Sequence, residues 1–148
     1  MTVTRDTRAN RREVWDVVAD GWTYSHWVVG NSRMRAVAAD WPAESTTVRH
    51  SIGVWLAVIN DETVVERCRA YEEVVLLAKL GPVGAGRIAL RLQDAGQGCR
   101  IVMHEDSVRG LMAAAPKPVA LAALWPRNRE FVWRLASLAE RRAPENEG

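Results

Sequence analysis

Lysine is almost absent from this 148-residue chain: Lys79 and Lys117 are the only two, and arginine supplies the rest of the 20 basic residues. Against 18 acidic residues these leave a net charge of only +2. A balance that close provides no one-signed field of the kind that non-specific nucleic-acid binding demands, so no nucleic-acid partner is expected. Cysteine is equally scarce. Cys68 and Cys99 form no CxxC pair and have no histidine at metal-ligand spacing, which argues against a zinc site and for two reduced thiols. No cofactor motif is evident either. The run GPVGAGR at Gly81 to Arg87 lacks the GK[ST] ending of a phosphate loop and joins two strands instead of opening a helix. Long apolar runs are missing too. The longest, Val54 to Ile59 and Val119 to Trp125, fall far below the ~20 residues that cross a bilayer. The opening MTVTRDTRANRREVW has no signal-peptide core, so a soluble cytoplasmic protein without integral membrane contact is expected.

What is present is an ordinary globular composition, 48% hydrophobic and 26% charged, consistent with one domain over residues 1–148 and a frayed tail at 143–148. Thr2 to Arg5 alternate like a strand. Asn10 then offers a cap to a helix over RREVWDVVAD, with Glu13 placed to complete a capping box. Trp22 to Trp27 reads as a short second helix. Downstream the period changes from 3.6 to 2. Alternating runs occupy Met34 to Ala38, Thr46 to Leu56, Thr63 to Tyr71, Val74 to Leu80, Gly86 to Gln93 and Cys99 to Val108. Asn60-Asp61 and Gly81-Pro82 supply turns between them. Pro116 and Pro118 open a terminal helical segment in which Leu121, Leu124, Trp125, Val132, Leu135, Ala136 and Ala139 share a stripe, and Pro126 either kinks this element or starts a second helix after a short first one. The order predicts an α+β domain: about seven antiparallel strands, two short helices after the first strand, and a long C-terminal helix against one sheet face.

Four segments carry a likeness to a known family: RREVWDVVADGWTYSHWVVG, AADWPAESTTVRHSIGVW, GRIALRLQDAGQGCRIVMHED and RNREFVWRLASLAERR. Together they span nearly the whole chain, which resembles the SRPBCC or START-like superfamily and, within it, the bacterial polyketide cyclase/dehydrase-type proteins. The terminal RNRE at Arg127 to Glu130 is similar to that of actinobacterial members. The resemblance implies a helix-grip fold, a seven-stranded antiparallel sheet wrapped around the C-terminal helix and enclosing an apolar cavity for lipids, sterols or aromatic polyketides. It implies no cofactor and no shared catalytic set.

Period 2 assigns the cavity wall. Val48, His50, Ile52 and Val54 share one face; Ile88, Leu90 and Leu92 share another; Cys99, Ile101, Met103 and Glu105 form a third. Val48, Ile52, Val54, Trp55, Tyr71, Leu76, Ile88, Leu90, Ile101, Met103, Leu121, Trp125 and Val132 are therefore the candidate lining of a site for a hydrophobic small molecule, with Trp55 inward only if Gly53 makes a bulge. His50 and Glu105 are polar groups on apolar faces. They suggest either a cavity acid–base pair, with histidine near its ordinary pKa of ~6.5, or hydrogen-bonded wall residues. Seven tryptophans offer flat surfaces to a ring-bearing ligand, although such residues more often fill cores. Trp133 lies off the stripe and His104 off the inward phase, so both are expected outside. The primary expectation is a binding module. A cyclase or dehydratase using His50 and Glu105 is the alternative, and a toxin-like or macromolecule-binding protein acting through the sheet exterior or Gly110 to Pro118 is the third. The sequence sets no oligomeric state.

Overall fold

The computed structural model describes residues 1–54, 57–79 and 84–142. Trp55, Leu56, Leu80, the Gly81-Pro82 turn and the 143–148 tail lie outside them. The first strand, β1 (Thr2–Thr7), leads into α1 (Arg11–Ala19). The Asn10 side chain accepts from the Glu13 amide at 3.0 Å, and Glu13 accepts from the Asn10 amide at 2.7 Å, so the capping box read from the sequence is formed. A single 3₁₀ turn, Gly21–Thr23, continues into α2 (Tyr24–Trp27). Gly21 is required here, because a Cβ would come within 2.6 Å of Val37 and 2.9 Å of Trp41.

Six strands follow: β2 (Asn31–Val37), β3 (Thr47–Val54), β4 (Ala57–Arg69), β5 (Glu73–Lys79), β6 (Gly84–Ala95) and β7 (Gly98–Gly110). All neighbours pair antiparallel in the order β1-β7-β6-β5-β4-β3-β2. Successive strands are neighbours except β1 and β2, which occupy opposite edges. The α1–α2 segment bridges that gap, and α1 and α2 both pack on the terminal helix. A short α3 (Leu111–Ala114) precedes that helix, α4 (Lys117–Arg142), which lies against β1 and β7. This is the helix-grip arrangement.

One local expectation is corrected and one open alternative is resolved. The turn expected at Asn60-Asp61 is not there: β3 is described to Val54, Trp55 and Leu56 lie outside the described residues, and Asn60 and Asp61 lie inside β4 opposite Ser51 and His50. Gly53, at φ 113°, takes a backbone conformation that favours glycine just before the chain reverses. The two turn-type side chains serve the ladder: Ser51 Oγ donates to Asn60 Oδ1 at 2.8 Å, and Asp61 Oδ1 accepts from the Glu62 amide at 2.8 Å. Pro126 does not divide the terminal helix, which runs through it as one element.

The inward alternation holds elsewhere: Val48, Leu76, Ile88, Leu90, Leu92, Cys99, Ile101 and Met103 are buried against Val14, Val17, Val18, Phe131, Val132 and Leu135. The outer face is mostly arginine and carboxylate. Arg91 donates to the buried Glu73 at 2.7 Å, with Arg67 and Arg69 closing around it, and Arg87 holds Glu66 at 2.5 Å. These partners keep both carboxyls below their usual range. The guanidinium fork matches a carboxylate in a way that an ammonium cannot.

Candidate functional site

The two halves of α4 meet the sheet differently. From Asn128 onward the helix is clamped, with Asn128, Phe131, Val132, Leu135, Ala136 and Ala139 buried. Phe131 packs edge-on against Trp27 with centroids 5.0 Å apart, and Trp27 in turn packs against Tyr24 at 5.1 Å. This aromatic wedge fills the middle of the grip. Before Asn128 the helix stands proud. Val119, Leu121 and Trp125 are exposed, and only Ala120 and Leu124 of the apolar residues are half-buried. Between that half and the end of β7 lies a cleft of about 330 Å³, lined by Glu105, Ser107, Ala113, Ala120, Leu121 and Leu124 among others. Its volume is at the lower end for small-molecule sites.

Glu105 forms the floor. It sits over Gly86, whose missing side chain leaves room: a Cβ there would touch Glu105 Oε1 at 3.4 Å. Arg127 Nη2 donates to Oε1, and Asn128 Nδ2 donates to Oε2 at 2.6 Å. The carboxylate is thereby tied to two successive residues of α4 and fixes the point where the helix begins to grip. Arg127 Nε and Asn128 Oδ1 are buried without a hydrogen-bond partner.

A second polar group lies deeper. His50 is 1% exposed on β3, its ring 5.1 Å from that of Tyr24. His50 Nε2 is 3.0 Å from Thr63 Oγ1, which is also 2.7 Å from the Tyr24 hydroxyl. Burial pushes that hydroxyl up to about 12, although the Thr63 hydrogen bond and the Arg127 charge oppose the rise. Burial and the Arg35 charge push His50 down to about 4, which corrects the expectation of an ordinary imidazole. His50 is therefore neutral at pH 7, and its Nδ1 has no hydrogen-bond partner. No direct hydrogen bond joins His50 to Glu105 among the described residues.

This has a consequence for acid stability. The folded chain keeps the ring neutral down to about pH 4, whereas an exposed imidazole takes its proton near ~6.5. The contribution is complete above ~6.5 and is lost as pH falls from there toward 4. Between pH 7 and 4, the native chain is expected to lose up to about 3 kcal/mol more unfolding free energy than a His50→Asn variant. Denaturant titrations at several pH values measure this, and parallel curves for the two proteins would refute it.

Val48, Leu76, Ile88, Leu90, Ile101, Met103 and Val132 lie in the core, and Ile52 is half-buried. Val54 ends β3, and Trp55 is outside the described residues. Tyr71 sits at the β4–β5 turn, 44% exposed, with its ring 5.9 Å from that of Trp15 at the far end of the grip. Leu121 and Trp125 correct the helical stripe. Both are 49% exposed, because the stripe meets the sheet only after the helix reaches Glu105. Leu121 borders the cleft, while Trp125 lies under the Arg129 guanidinium, 4.6 Å from the ring centroid. Trp133 is exposed, and His104 bonds Thr2 and Asp106 on the outside. Burial pushes the Cys99 thiol up to about 11 and raises that of Cys68, which suits packing and not reactivity. Sequence reasoning missed Arg127, Asn128, Tyr24 and Thr63 as parts of these clusters. The phase of Glu105 was visible, but its helix partners lie 22 and 23 residues away.

No protein-family model matches the sequence, and no curated protein does. Solved structures do match. Protein NE0264 from Nitrosomonas europaea superposes with a TM-score of 0.74 at 11% identity, over 95% of this chain and 94% of that one. The di-domain ARO/CYC StfQ from the steffimycin biosynthetic pathway gives 0.73 at 9% identity, over 97% of this chain and 51% of that one. Ara h 8.0201 gives 0.68 at 9%, over 95% and 97%. At these identities the likeness is one of fold. The chain has the helix-grip fold of these structures, and no helix among the described residues is long and apolar enough to cross a membrane.

Proposed function

We propose that the protein binds a hydrophobic or aromatic small molecule between its sheet and its C-terminal helix, entering by the cleft over Glu105. The observation that carries this reading is the uneven seating of α4: a clamped rear half, and a front half whose Ala120, Leu121 and Leu124 face a cleft of about 330 Å³ instead of a packed sheet. An apolar surface left open beside a few fixed polar groups is the usual make-up of a ligand site. The fold shared with StfQ, a di-domain ARO/CYC of the steffimycin biosynthetic pathway, lends support.

A cyclase or dehydratase using His50 and Glu105 as acid and base is the second reading, and the geometry gives it less. Glu105 is held by Arg127 and Asn128, and His50, at about 4, is a weak base. Binding is tested by native mass spectrometry of freshly purified protein and by tryptophan fluorescence against fatty acids, sterols and aromatic polyketides. A retained mass or saturable quenching is expected. Neither, across the whole panel, would end the proposal.

A further inference from the structure

We propose that β1 receives an extended peptide as a further strand of the sheet, and that the segment it fits carries an acidic side chain on the face turned toward α4. β1 ends the sheet, and its bonding phase is set at Met1. The Met1 amine donates to the Glu105 carbonyl at 2.7 Å, and the Met1 carbonyl accepts from the Glu105 amide at 2.8 Å. Bonded rungs of an antiparallel ladder recur every second residue, so Val3, Arg5 and Thr7 turn their amides and carbonyls to β7. Those of Thr2, Thr4 and Asp6 point the other way, out of the sheet, and nothing among the described residues bonds them. Free backbone groups on alternate residues are what strand addition uses.

The side of β1 that faces α4 selects the guest. Arg5 shares the phase of the buried Val3 and Thr7 and stands opposite the buried Ile101, yet it is exposed. It borders a groove of about 400 Å³ whose other walls are Trp125, Pro126, Arg129, Glu130 and Trp133 of α4. Helix and strand run side by side here, with Asn128 against Met1 and Glu140 against Thr7. Three charges line the groove. Glu130 is paired with Arg134, whereas Arg129 lies on the Trp125 ring and neither it nor Arg5 forms an ion pair among the described residues. Glu140 feels the Arg5 charge but is held by the Thr7 hydroxyl and the Arg8 amide. A guest residue opposite Arg5 falls on a non-bonded rung, the closer spacing, with its side chain on the α4 side. An acid there meets two uncommitted guanidinium groups, and apolar residues two positions to either side cover the exposed indoles. On the outer side Asp6 is taken by Arg100 and Thr2 by His104, so neutral residues suit that face. A second copy of this chain fits less well. Self-pairing that engages Thr2, Thr4 and Asp6 together must centre on Thr4, and it sets the two Arg5 side chains diagonally across neighbouring rungs, like charge beside like.

The palindromic peptide TVTETVT, with valines and glutamate on one face and threonines on the other, tests this against TVTKTVT by nuclear magnetic resonance. The glutamate peptide is expected to slow amide hydrogen exchange at Thr2, Thr4 and Asp6, and to bind about tenfold more tightly than the lysine peptide. Methylating the amides of the two threonines beside the glutamate should abolish that protection. Arg5→Gln, shown by thermal unfolding to be folded, should cut the preference to about twofold, the remainder belonging to Arg129. No binding by either peptide, equal affinity for the two, or a preference untouched by Arg5→Gln overturns the proposal. Shifts confined to the Trp125 and Trp133 indoles, without amide protection on β1, overturn it too, because the groove then holds side chains without a strand. Slow exchange at those amides in the free protein, together with a dimer in sedimentation, assigns the edge to a second copy and has the same effect. If Arg5→Gln does not fold, the two peptides and the methylated form decide on the native protein.

Discussion

Replacing Phe131 by Ala is expected to lower the free energy of unfolding by about 3–5 kcal/mol. The ring is 1% exposed and meets Trp27 edge-on at 5.0 Å and 82°. Its removal therefore costs the transfer of a large apolar side chain, a cavity at the junction of α2 and α4, and an aromatic pair worth about 0.5–1.5 kcal/mol. Trp133, two residues along the same helix, is the control. It is larger but half exposed, so Trp133→Ala should change stability by no more than about 0.5 kcal/mol. Urea titrations of the two variants read the difference directly. Similar losses would mean that α4 is not clamped where the aromatic wedge places it.

Glu105→Ala should be nearly as damaging, at about 3 kcal/mol, for a different reason. The side chain is 7% exposed, and deleting it leaves the partly buried Arg127 guanidinium and the buried Asn128 amide without their carboxylate acceptor. Losing one member of a buried pair leaves the other desolvated and unmatched. Replacing both members together, Glu105→Leu with Arg127→Met, should recover much of the loss, because the cost lies in the orphaned charge. By contrast, the Asp6–Arg100 pair on the outer face is open to water, and Asp6→Ala should leave the unfolding midpoint almost unmoved. A double variant no more stable than Glu105→Ala would show that the pair does more than match its own charges.

The fold was legible because its determinants are local. Alternation over a strand, the Asn10 and Glu13 spacing, and the helical stripe through Val132, Leu135 and Ala139 each depend on residues a few positions apart. The β3–β4 reversal was misplaced because Asn60 and Asp61 have turn chemistry, and only pairing with Ser51 and His50 shows that they serve as rungs. Trp125 misled for a similar reason. A stripe says which residues share a face, not how far along the helix that face meets anything. The site was legible only in part. Phase put His50 and Glu105 inward, but Thr63, Tyr24, Arg127 and Asn128 reach them from other elements, over separations that periodicity does not register. The depressed His50 pKa likewise depends on burial and on Arg35, and neither is a property of its neighbours in sequence.

The sheet is open rather than a closed barrel, and its two free margins are β1 and β2. An unpaired margin is a template on which another chain can add a strand and begin a fibril. Here β2 resists recruitment: its pairing with β3 slips register twice, and it presents the exposed cations Arg33 and Arg35. Arg35 also reaches across the ladder to the His50 and Asp61 carbonyls, so the charge that repels a stacking neighbour also pins the strand in place. Colloidal behaviour in this molecule is thus tied to two arginines at one rim, well away from the cleft.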